Sequence, residues 1–165
     1  MSGKGKISVV LVSVAVAVLA VWALAASGAS RASGGLQWTV NGSPVGPTAA
    51  APPVANDFHG YWKPSGGAAL RWTVDGQPVG PKLTAPAGAN DVDFDYDAAG
   101  RFTYAYWTKD GVRIQQIPIP PGANDVHVRL QDGQAFTKAL WTYNHAPYAG
   151  IQVPAGADGF DLVFH

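Results

Sequence analysis

The feature that most constrains this chain is a period. Tryptophans recur at Trp38, Trp72, Trp107 and Trp141, and a proline-led block follows each of them at Pro52, Pro86, Pro120 and Pro154. The blocks read PPVAND, PAGAND, PPGAND and PAGADG, and each begins 34 residues after the last. Self-similarity at a fixed period governs the reading of a fold before any single motif does. Residues 36–165 therefore read as four imperfect repeats, at about 36–69, 70–103, 104–137 and 138–165.

Within a repeat the signals are those of strands and turns. Asp125 to Gln131 alternates Val126, Val128 and Leu130 with polar neighbours, the period of a half-buried strand. Ala135 to Tyr143 carries a tryptophan and matches Arg101 to Lys109 one repeat earlier. Asn41-Gly42, Asp75-Gly76 and Asp110-Gly111 are strong hairpin turns, because the favoured two-residue turn needs positive φ at both positions. A further strand closes on the repeated proline, and the Gly-Ala-Asn-Asp step after it reads as a connector whose Asn folds back on its own backbone. The repeats contain neither Glu nor Met and carry the thirteen Pro, so good helix formers are scarce.

The fold class expected is all-β, an antiparallel barrel or sandwich with three strands per repeat and the repeats paired two by two. A small propeller or β-prism is the alternative, and it requires one more strand per repeat.

Ahead of the repeats, Ile7 to Ala26 holds no charge, and twenty residues of helix at about 1.5 Å each reach roughly 30 Å, a bilayer core. Lys4 and Lys6 before it would keep the N-terminus cytoplasmic and send the rest outward. The expectation for residues 1–26 is a membrane anchor or a signal peptide, with 27–35 as a flexible linker. The protein is then a single-pass membrane protein with its C-terminal domain outside, or is secreted after cleavage.

The repeats lack Cys, which removes disulfides and thiolate metal sites. Setting aside Lys4, Lys6 and Arg31, eight of the eleven Lys and Arg face eleven Asp, a balance that disfavours nucleic acid as a partner.

The repeat tryptophans are expected in the core. The residues two before them are Leu36, Leu70, Ala105 and Ala139, so their strand face is apolar. Asp91, Asp93, Asp95 and Asp97 project from one strand face, where they read as a solvated row able at most to attract a cation. The histidines at 59, 127, 145 and 165 show no metal-ligand spacing, and no nucleophile elbow or phosphate loop is present. No catalytic residue, metal or cofactor is expected, and glycoside hydrolysis by the Asp row is a remote alternative.

Function is sought where the repeats break their own rule. Repeat four replaces the Asn-Gly turn by Asn144-His145-Ala146-Pro147 between Tyr143 and Tyr148, and repeat one carries His59-Gly60-Tyr61-Trp62-Lys63 where the others alternate plainly. Both are expected on loops, with His59, Tyr61, Trp62, Tyr143, His145 and Tyr148 as ligand contacts. The stretch DFDYDAAGRFTYAYWTKDG from Asp93 resembles one YD-type repeat of large bacterial shell and adhesion proteins. It does not recur along the chain, so no family is assigned from it.

The functional expectation is a membrane-anchored, outward-facing structural or assembly protein. Its partners would be the membrane through residues 7–26, other proteins or a glycan, or a second copy of the chain. The alternative is an exported lectin-like module.

Overall fold

The computed structural model describes residues 33–165, and the expected anchor or signal segment lies outside them. The described residues form twelve antiparallel strands and no helix. The first repeat supplies β1 (Gly34–Val40), β2 (Ser43–Ala50) and β3 (Asp57–Trp62), and the second β4 (Ala68–Val74), β5 (Gln77–Thr84) and β6 (Asp91–Tyr96). The third supplies β7 (Phe102–Lys109), β8 (Val112–Gln116) and β9 (Asp125–Leu130), and the fourth β10 (Phe136–Tyr143), β11 (Ala146–Ile151) and β12 (Gly159–Phe164).

Two six-stranded sheets result, ordered β2-β1-β12-β9-β4-β5 and β11-β10-β3-β6-β7-β8. The fold is a sandwich; neither sheet closes into a barrel, and the propeller alternative fails because no fourth strand exists in any repeat.

Each repeat divides itself between the layers. The first two place their hairpin in the first sheet and their last strand in the second, and the other two do the reverse. The last strands pair two by two in the centres of the sheets, β3 with β6 and β9 with β12. The hairpins flank them, and their outer strands β2, β5 and β11 carry Pro44, Pro47, Pro78, Pro81 and Pro147, as edge strands tolerate.

Between the layers lies an aromatic core. Trp38, Trp72, Trp107 and Trp141 are all buried, as the apolar face of their strands requires. Edge-on contacts cross the layers, with Trp72 5.0 Å from Phe102 and 5.8 Å from Phe94 and Phe58 5.0 Å from Phe160, and Phe58 also stands 5.3 Å from Trp141 of its own sheet. Such tilted contacts suit the ring quadrupole.

The expected loop at His59–Lys63 is a correction. Residues 57–62 are β3, a central strand, and Phe58, Gly60 and Trp62 face the core in strict alternation. Glycine at an apolar position disguised the pattern. A Cβ at Gly60 would stand 3.1 Å from the ring of Phe160 and 3.4 Å from those of Phe58 and Phe136, so the aromatic crossing leaves little room for a side chain there.

The repeated block before each last strand also works differently from an Asx-turn. Asn56, Asn90 and Asn124 reach across to hairpin turns of other segments, accepting from the backbone N–H of Asn144, Asp110 and Asp75 at 2.9–3.0 Å. Their amides donate back to the side-chain oxygens of the same three residues. Asp158 accepts in the same way from Asn41 N–H.

Candidate functional site

On the outer face of the second sheet lies a cleft of about 380 Å³, lined among others by His59, Tyr61, Asp93, Arg113, Lys138 and His145. Its floor is made by the outward positions of β3 and β6, which side-chain alternation brings to one face. The register sets His59 opposite Asp93, Asp57 opposite Asp95 and Tyr61 opposite Asp91.

His59 sits at the centre of a carboxylate cluster. Its Nδ1 is 2.9 Å from Asp91 Oδ2, and its Nε2 is 3.2 Å from Asp57 Oδ2 and 3.7 Å from Asp93 Oδ1. The flanking hairpins complete the cluster. The Thr108 hydroxyl donates to Asp91 at 2.7 Å and that of Thr142 to Asp57, while Arg113 Nη2 donates to Asp93 at 3.0 Å and to Asp95 at 3.2 Å. From the β10–β11 turn, His145 brings Nδ1 to 3.0 Å from Asp57 Oδ2.

The placement of His145 is unusual. It has φ 64, in the turn position that Gly42, Gly76 and Gly111 fill in the other three hairpins. A non-glycine residue held there costs of order 1 kcal/mol, and such outliers gather at functional sites. The neighbouring Asn144, at φ 49, matches Asn41, Asp75 and Asp110, so the turn keeps its form and only its second residue has changed.

Electrostatics follow from burial. Asp57, Asp91 and Asp93 are each only 1–2% exposed, although they belong to the outer face of the sheet. This corrects the expectation of a solvated Asp row: the hairpins and Arg113 cover it, and only Asp97, bound to Arg101 beyond the end of β6, remains outside. Burial alone would strip the His59 proton, but hydrogen bonds to Asp57 and Asp91, with their charges, raise its pKa to about 10. For Asp93, burial, a hydrogen bond to Asp57 and the Asp57 charge push the pKa up to about 8. Burial opposes ionisation of Asp57 too, but the hydrogen bonds from His59, Asp93 and Thr142 hold it well below the usual carboxylate range. These shifts favour a charged His59, an ionised Asp57 and a proton retained on Asp93.

Of the six residues expected to contact ligand, His59, Tyr61 and His145 line this cleft. The Tyr61 ring stacks on His59 with 5.8 Å between centroids, and Lys138 Nζ lies 5.5 Å above it. Trp62 does not face the cleft; it is in the core, 6.1 Å from Trp107. Tyr143 and Tyr148 are exposed on the β10–β11 hairpin and are not among the cleft's lining residues.

The carboxylates were underweighted in the sequence, and a signal for them existed. The positions 59, 93, 127 and 161, one per repeat, read His, Asp, His, Asp. The fold pairs them: His59 opposes Asp93, and His127 opposes Asp161 on the outer face of the first sheet. There, His127 contacts Asp125 at 3.1 Å and also Asp161, and Asp125 accepts the Thr73 hydroxyl at 2.8 Å. That second centre keeps Asp125 where the first has Asp57, but it has Gly159 where the first has Asp91 and Gly76 at the turn position of His145.

Comparison with protein families, with curated proteins and with solved structures finds no match to this chain.

Proposed function

We propose that this protein is an outward-facing recognition module, tethered to a membrane by residues 7–26, whose second-sheet cleft holds a polar ligand. The observation that carries this reading is the meeting of His59 and His145 on Asp57. They come from the two places where the repeat breaks its own pattern, 86 residues apart in sequence, yet both reach one buried carboxylate.

Burying charge is expensive even when paired, and an apolar outer layer or a plain solvated face would serve stability as well. The strained turn at His145 adds to that cost. Around the charged floor, Tyr61, Lys138 and Arg113 offer a ring face and two cations, the mixture that recognition clefts use to orient a polar molecule.

A glycan array with the full chain in detergent tests the reading. Binding that is lost in Tyr61→Ala and His145→Gly but kept in Tyr148→Ala supports it. Binding that follows Tyr148 instead, or the absence of any polar ligand, removes the cleft from the account.

One observation favours the assembly reading as well. Among the four edge strands only β8 lacks proline, and it exposes Val112 and Ile114, at 65% and 43%. An unblocked edge is a template for strand addition by a second chain. Ile114→Pro would then convert an oligomer to a monomer in light scattering, whereas a wild-type monomer would dispose of this reading.

A further inference from the structure

We propose that Asp57, His59, Asp93 and His145 form a binding site for one divalent transition-metal ion, with Zn²⁺ as the best-suited occupant. The inference rests on reading the cleft as a recognition site, and it assigns the cleft floor its chemistry.

The geometry carries it. Each of the four residues offers one ligand atom, and all four atoms lie within 4.8 Å of one another. Individual separations are 3.0 Å from His145 Nδ1 to Asp57, 3.2 Å from His59 Nε2 to Asp57, and 3.7 Å from His59 Nε2 to Asp93. A tetrahedral ion with bonds of about 2.0–2.1 Å needs its ligand atoms roughly 3.4 Å apart, so the side chains already stand near the required spacing.

A second observation points to a ligand independently of the cluster's composition. Asp57 Oδ1 and Asp93 Oδ1 are fully buried and have no donor when both groups are ionised, and Asp93 Oδ1 is the oxygen directed at His59 Nε2. Unpaired buried carboxylate oxygens are costly. A shared proton relieves one of them in the metal-free protein, and a cation would relieve both.

The surroundings have the form of an outer shell. His59 directs Nδ1 at Asp91, which is itself held by Thr108, leaving Nε2 to face the centre. A carboxylate behind a ligating imidazole sets its tautomer and raises its basicity. Arg113 fixes the other oxygen of Asp93, and Thr142 fixes Asp57. Two nitrogens and two oxygens suit a first-row transition ion, whereas Ca²⁺ requires six to eight oxygens. Four protein ligands make a closed set, so the ion would clamp the β10–β11 turn to the central strands.

The first sheet provides an internal control. Its His127, Asp125 and Asp161 occupy the corresponding outer face without a second imidazole. Among the described residues only the second-sheet group brings four ligand atoms together.

The full chain in detergent, stripped with chelator, is titrated with Zn²⁺ at pH 7.5 by calorimetry, with the unfolding midpoint followed in parallel. One ion per chain should bind and raise the midpoint, and Ca²⁺ should do neither. His145→Gly restores the residue of the other three hairpins and so should stay folded, yet weaken Zn²⁺ binding by at least the roughly 10–100-fold that loss of an outer-shell partner costs, because a direct ligand is removed. His59→Ala and Asp93→Asn should act likewise, and His127→Ala should leave binding unchanged. No saturable Zn²⁺ binding, or wild-type affinity in folded His145→Gly, overturns the site. So does equal loss in His127→Ala. Because no glycan is present, Zn²⁺ binding alongside an empty array retains the ion and rejects the recognition reading. A glycan ligand with no Zn²⁺ binding does the reverse.

Discussion

At the scale of single residues, the polar contacts of this protein are a small vocabulary used with deliberate gaps. The threonine after each repeat tryptophan faces the first residue of a central strand: Thr142 holds Asp57, Thr108 holds Asp91 and Thr73 holds Asp125. The fourth, Thr39, faces Gly159, where a Cβ would come within 2.5 Å of its hydroxyl. The same substitution should therefore give two outcomes. Thr73→Val leaves the buried Asp125 carboxylate short of a donor and should cost about 1–3 kcal/mol in urea unfolding, whereas Thr39→Val should cost about 0.5 kcal/mol or less. Equal losses would show that the hydroxyls act by packing rather than by holding carboxylates. A titration follows from the first sheet. Hydrogen bonds to Asp125 and Asp161, opposed by burial, raise the His127 pKa to about 10 from 6.5, with Arg71 its register neighbour on β4. A raised histidine pKa gives stability that is complete below pH 6.5 and lost as pH rises through 10. His127→Gln should accordingly flatten the fall in thermal midpoint between pH 6.5 and 10, and an unchanged slope would place the ionisation elsewhere. The burial of the tryptophans was legible from alternation alone. The burial of Asp91 and Asp93 was not, because alternation assigns a side chain to a face without saying what covers that face.

At the scale of elements, the unit of construction is a hairpin turn locked by the connector of another segment. Turn residues Asp75 and Asp110 and their glycines were readable, because only a few residue types tolerate positive φ at both positions. The partner of each turn was not readable, since Asn124 and Asp75 are 49 residues apart and Asn56 and Asn144 are 88 apart. The repeated Asn-Asp pair is thus one residue for locking a turn and one for meeting a threonine, rather than a local turn motif. Asn124→Ala removes two hydrogen bonds, one given and one received, and should lower stability by about 1–3 kcal/mol. Asp158→Ala removes the single bond from Asn41 N–H and should cost roughly half as much. Chemical denaturation of the two variants checks the ratio; if both cost the same, the side-chain amide of Asn124 contributes nothing. The misread segment at His59 belongs to this scale too. Its aromatic content suggested a loop, whereas Asp57, His59 and Tyr61 keep the same alternation as Asp91, Asp93 and Asp95 in β6.

At the scale of the molecule, the 34-residue period suggests a linear array, and the topology is the opposite. In a solenoid each repeat touches only its neighbours, so stability is close to a sum and a shortened array keeps its structure. Here every repeat gives a hairpin to one layer and a strand to the centre of the other. The fourth repeat places β12 between β1 and β9 in the first sheet and β10 between β11 and β3 in the second. It also supplies Trp141, Phe160 and Phe164, and Phe160 alone contacts Trp38, Phe58, Phe94 and Phe136. Removing residues 138–165 would therefore split the first sheet, strip the second of its flanking hairpin and open the aromatic core from one side. The shortened chain should be unfolded rather than three-quarters folded, with no cooperative urea transition and no near-ultraviolet tryptophan ellipticity, while the full chain unfolds in a single step. A truncated chain that keeps a sharp transition would mean that the first three repeats close a core by themselves, and that the division of each repeat between layers is not what makes the sandwich cooperative.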